Sequence, residues 1–161
     1  MDGGARRWAI EGVVAGALAL PPSMVASALH ARATGRPWQE SETAAGNLVL
    51  GTSASPARLV RVGAVLRVAV ALNWGVVLSR WLDHRHPVVH GAGAGLALFG
   101  FQYLLVGRRR PLVRALPAWP QVVDHVVYGT VAGAVLGRLR RRTQRGAPPS
   151  PATDPRPRPL P

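Results

Sequence analysis

The residues able to do chemistry in this chain are few, and most stand where charge is out of place. Glu11, Arg67, His90, Gln102, Asp124 and His125 all fall inside runs of apolar sequence. A charge inside a bilayer is costly and must face protein or water, so such residues mark either ion pairs that hold helices together or a relay for protons or ions. Their positions along the runs suggest two pairs. Glu11 would meet His90 near one face, and Arg67 would meet Asp124 and His125 near the other, with Gln102 close to that second level. Three readings share these residues: satisfied staples of a small bundle, a relay, or side chains that snorkel to the interface without a partner.

A second cluster, Asp83, His84, His86 and His90 around Pro87, has the composition of a metal site. Pro87 suits the first turn of a helix, which would set His86 and His90 on one face at the spacing zinc requires. Arg80 and Arg85 stand beside them and disfavour a dication, so a polar turn at the headgroups is the plainer reading, and no metal or other cofactor is expected. The chain shows no phosphate-binding loop, nucleophile elbow, HExxH motif or cysteine. Its serines and threonines lack a nearby histidine to activate them. A non-enzymatic protein is expected.

The elements that position these residues are four apolar segments, over about 8–29, 62–82, 88–106 and 118–137. At about 1.5 Å per residue each reaches about 30 Å, one hydrocarbon thickness. Trp8, Trp81 and Trp119 mark segment ends, where indoles prefer the headgroup level. The 161-residue chain is only 17% charged, with mean hydropathy +0.12, against about a quarter charged in soluble domains. A soluble helical protein would repeat polar positions every three or four residues, and the third segment has none between Gly91 and Phe101. Arg6-Arg7, an apolar stretch and Ala26-Ser27-Ala28 mimic a cleaved signal peptide. Glu11 at the head of the apolar core argues against one, and three spans would remain after cleavage. The expectation is all-α: a four-transmembrane-helix bundle in residues 1–142, multi-pass in the cell membrane.

The net charge is +13, and all 20 basic residues are arginine. They gather at the ends of apolar runs and not along one face, which suits binding to anionic lipid headgroups better than to nucleic acid. Four spans place both termini on one side, and the dense arginine cluster after Gly137 assigns that side to the cytoplasm. Between the first two spans, His30 to Arg61 reads as an interfacial loop with a helical stretch from Thr43 to Leu50. Residues 143–161 read as a disordered, basic, Pro-rich tail.

Glycines repeat at four-residue spacing: Gly12 and Gly16, Gly91 and Gly95, and Gly129, Gly133 and Gly137. Such stripes let helix backbones approach closely in lipid, either within one bundle or in a homo-oligomer. Two segments carry a family resemblance. In Gly12 to Met24 a Gly-rich apolar run leads into Pro21-x-x-Met24, and in Asp124 to Gly137 the sequence Asp-His-Val-Val-Tyr-Gly opens the last glycine-spaced helix. The pattern resembles small bacterial inner-membrane proteins of the YagU-like kind. The resemblance implies a four-helix membrane protein with no established activity and transfers no functional residue.

Overall fold

The computed structural model describes residues 3–51, 53–83 and 85–146, and among these all the regular structure is helical, with no strand. Helix α1 (Gly3–Ala19) ends at Pro21-Pro22, where a 3-10 turn (Pro22–Met24) leads into α2 (Val25–Ala33). Helix α3 (Glu40–Leu50) is followed by α4 (Pro56–Trp81). Helix α5 runs from Pro87 to Arg109 and contains a π-helical turn over Gln102–Val106. A single turn, α6 (Pro111–Arg114), precedes α7 (Ala118–Gly146).

Three helices, α4, α5 and α7, are long and apolar enough to cross a membrane. The expected first span is not one rod: α1 and α2 meet at a 46° bend and pass the same test only together. The prolines supply the cause, because each lacks an N–H and Pro22 sterically excludes continuation of the preceding turn. Boundaries differ as well. Helix α4 starts six residues before Val62, at Pro56 in its first turn after extended Ser55. Helix α7 continues to Gly146, so 143–146 are helical and not tail, and residues 147–161 lie outside the described region.

The helices pack as antiparallel pairs whose contacts are glycines laid on backbone. Gly12 and Gly16 of α1 rest on α4 at Ala71, Leu72 and Val76, and Gly75 of α4 faces Gly12 in return. Gly91 and Gly95 of α5 lie on Gly129 and His125 of α7, and Gly133 lies on the Pro87 carbonyl. A Cβ at any of these positions would overlap a neighbouring carbonyl or Cα, so only glycine permits the spacing. Gly137 is different, since it meets the Pro87 ring and not a backbone. All eight of these glycines face helices of the same chain.

The stretch expected to lie on the bilayer packs against a candidate span. Helix α3 packs along the first half of α4, with Gly46 on the Leu59 carbonyl and Gly63 on the Glu42 carbonyl. Helix α1 covers the second half of α4, so two short helices line one long one. A core of small and aliphatic side chains (Ala15, Ala19, Ala71, Leu78, Ala132 and Leu136) with the Tyr128 ring joins α1, α4 and α7.

Candidate functional site

Two polar clusters occupy opposite sides of that core. The first lies where α1, α4 and α7 converge near the end of α4. Glu11 accepts a hydrogen bond from Arg7 Nε at 2.9 Å and stands 4.0 Å from Arg140 Nε. Arg140 also donates to the carbonyls of Leu82 (3.2 Å) and Ser79, among the last of α4. A guanidinium there satisfies carbonyls that have no intrahelical partner and opposes the negative end of the helix dipole. The Ser79 hydroxyl lies 2.7 Å from the carbonyls of Trp8 and Val76, fastening α1 to α4.

Glu11 therefore does not pair with His90. Helix α1 packs on α4 and α7 and not on α5, so the cation that reaches Glu11 from another helix comes from α7. His90 turns outward to Asp83, with Nδ1 3.5 Å from Oδ2 across a half-exposed contact. The His86 ring lies edge-on to His90 at 6.4 Å, and His84 lies outside the described residues. Among the described residues no three acids and histidines converge on one point.

The second cluster is richer. Arg67, the twelfth residue of α4, places Nε 3.1 Å from Glu42 Oε1 of α3. Glu42 is only 5% exposed and the Arg67 side chain 23%, so the carboxylate is buried and its cation partly so. The expected partners of Arg67 were Asp124 and His125. The Gly46–Gly63 contact draws α3 onto α4 and lays Glu42 against Gly63, one turn before Arg67, which puts a carboxylate nearer than Asp124.

Asp124 serves a different purpose. Its Oδ1 accepts the backbone N–H of Ala26 (3.1 Å) and of Ser27 (3.3 Å), the first turn of α2. Helix α2 has no side-chain cap of its own. A carboxylate there meets orphan N–H groups and the positive end of the dipole. The break at Pro21-Pro22 thus leaves backbone donors that α7 satisfies, as irregular backbone among apolar segments requires. The other carboxylate oxygen, Oδ2, is buried and receives no hydrogen bond.

Neighbouring polar groups extend the cluster. Gln121 Nε2 donates to Ser27 Oγ at 2.9 Å and to Ser41 Oγ at 3.3 Å, joining α7 to α2 and α3. His125 Nδ1 lies 2.7 Å from the Gln121 carbonyl and Nε2 lies 3.0 Å from the Gln102 amide oxygen. A carbonyl only accepts, so Nδ1 carries a proton. With a neutral ring, Nε2 accepts and the Gln102 amide must turn its NH2 toward it. With an imidazolium, Nε2 donates to the amide oxygen as placed. Gln102 opens the π-helical turn of α5, a feature common where helices carry function.

Arg67, Gln102, Gln121, Asp124 and His125 all line one cavity of about 340 Å³. Its other walls are mostly apolar, with Leu66, Val70 and Trp74 of α4 and Leu98 and Phe101 of α5, beside Ser23 and Ser41. Helices α4 and α5 scarcely touch each other, although both flank α7, so the cavity lies in the cleft between them. Val70 and Phe101 at its rim are 43% and 56% exposed. Sequence reasoning missed Glu42, Gln121, Ser27 and Ser41, all assigned to the loop or left unused. It also missed Gly46, Gly63 and Gly75.

Comparison with protein-family models, curated proteins and solved structures finds no match for this chain.

Proposed function

We propose that the chain is an integral membrane protein of four crossings, with α1 and α2 together forming the first, and that it serves as a structural or assembly component and not as an enzyme. The observation that carries this reading is the disposition of its polar groups. The charges within the candidate spans bind one another or helix ends in two clusters, and a core of Ala15, Ala19, Ala71, Tyr128 and Ala132 packs between them. Staples hold that arrangement, whereas a conduit needs a polar path from face to face. The arginines after Gly137 and before Ala118 lie beside spans and suit anionic headgroups, and four crossings with that tail place both termini in the cytoplasm.

Self-association in this reading uses lipid-facing surface, because the spaced glycines are occupied within the chain. On α5 the free positions are Gly93 and Gly100, with nothing within 4 Å of a Cβ. Membrane abundance of point variants tests the reading. Gly133→Leu lowers abundance severalfold and His86→Ala leaves it unchanged if the protein acts through its packing. The reverse pattern assigns the function to the histidine turn and overturns the proposal.

One observation favours a relay as the second reading. His125 contacts acceptors through both ring nitrogens, beside Asp124 and Arg67, so adding a proton requires only that the Gln102 amide rotate. Proton flux into liposomes that contain the protein, abolished in Asp124→Asn, would establish it.

A further inference from the structure

We infer that the cleft between α4 and α5 is a binding site for a small lipophilic amine in its protonated form, whose N–H meets Asp124 Oδ2 and whose apolar body lies against Trp74 and Phe101. The site is separate from the packing role proposed above and does not depend on it.

Four features lead to this ligand class. Asp124 is 6% exposed, lines the cavity, and has one carboxylate oxygen without a hydrogen bond. A buried acceptor left open is costly, so a donor entering the cleft gains an interaction that lipid tails do not supply there. The charge balance favours a cationic donor over a neutral one. Arg67 also lines the cleft, but Glu42 sits against it and neutralises it. Asp124 is opposed by the end of α2, about half an elementary charge, and by the field of Arg67, which Glu42 offsets. A neutral His125 ring, with its proton on Nδ1, adds no charge, and the Ser27 hydroxyl beside the carboxylate carries none.

The walls agree with a cation that has an apolar body. Trp74, Phe101 and Tyr128 supply aromatic surface, to which a desolvated ammonium is attracted. The volume of about 340 Å³ stands at the lower end of the range for small-molecule sites, about 300–1,000 Å³. Entry is lateral, past Val70 and Phe101, from the side on which α4 and α5 leave a gap.

The test uses the full chain in nanodiscs of phosphatidylcholine, whose quaternary head has no N–H to compete. n-Octylamine is titrated at neutral pH beside n-octanol and octanoate, with partition into empty nanodiscs subtracted. The inference predicts a saturable component of one amine per chain, at least tenfold tighter than octanol, with no saturable octanoate binding. Asp124→Asn weakens amine binding at least tenfold, since asparagine keeps an oxygen to cap α2 but loses the charge. Val70→Phe, which fills the mouth of the cleft, removes the saturable component even if Asp124→Asn fails to fold. Equal binding of octanol and octylamine, no saturable amine component, or amine binding undisturbed in Val70→Phe would each overturn it.

Discussion

Asp124 on α7 caps α2 across nearly a hundred residues of chain, its Oδ1 3.1 Å from the backbone N–H of Ala26. The contact explains how a helix can break at Pro21-Pro22 among apolar segments. Donors exposed by the break are met by a carboxylate from another helix, so α2 keeps its direction without a cap in its own sequence.

Replacing that carboxylate by a methyl should loosen the start of α2 before it loosens anything else. Asp124→Ala is expected to cost about 1 kcal/mol, the usual worth of an N-cap, and Asp124→Asn much less. Amide exchange in detergent micelles checks this: protection at Ala26 and Ser27 falls in the alanine variant and persists in the asparagine one.

The Arg67–Glu42 pair makes a sharper prediction. Arg67→Leu leaves a buried carboxylate uncompensated and should cost about 3–5 kcal/mol. Arg67→Leu combined with Glu42→Leu should recover most of that, because both charges are then gone. Reversible unfolding in mixed micelles supplies the double-mutant cycle. A double variant as weak as the arginine variant alone would mean that Glu42 is not the partner.

Glycines in the same helix should separate by what faces them. Gly91→Ala pushes a methyl into the Gly129 carbonyl and should lower the unfolding midpoint by several degrees. Gly93→Ala meets nothing within 4 Å and replaces a poor helix former, a gain of about 0.5–1 kcal/mol. The two variants differ by one methyl at positions two residues apart, so the comparison isolates the contact.

Tyr128 provides a measure of one buried hydrogen bond, from its hydroxyl to the Ala71 carbonyl between α7 and α4. Tyr128→Phe keeps the ring in the core and removes only that bond. The expected loss is about 0.6 kcal/mol, the average for side-chain hydrogen bonds between membrane helices, read from the same unfolding curves.

Much of the fold was legible in the sequence because apolar runs and glycine spacing are local patterns. Segments 62–82, 88–106 and 118–137 each lie within a helix apolar enough to span, and Pro21-Pro22 marks a real break. Which charges meet was not legible, because depth along a span says nothing about which helices are neighbours. Glu11 and His90 are expected at one level, yet α1 and α5 do not pack together. Glu42 was assigned to a loop because eleven residues are too few to span. A signal for it was nevertheless present: Glu42 precedes Gly46 by four residues, and Gly63 precedes Arg67 by four. Laid antiparallel, those two turns bring glycine to backbone and carboxylate to guanidinium at once. The cap by Asp124 had no sequence signal, since it joins a helix start to a side chain far along the chain.

Cysteine accessibility in intact cells tests the central claim most directly, that paired polar clusters lie dry within a bundle that crosses the membrane. The native chain has no cysteine, so conservative single replacements report cleanly. Ser23 borders the cavity and Ser79 ties α1 to α4, each less than a tenth exposed, while Ser53 and Arg85 lie in the turns at either end of α4. The account predicts that Ser53→Cys and Arg85→Cys react with a membrane-impermeant thiol reagent from opposite sides, and that Ser23→Cys and Ser79→Cys react from neither. Labelling of Ser53→Cys and Arg85→Cys from the same side, or ready labelling of both interior positions, would contradict it.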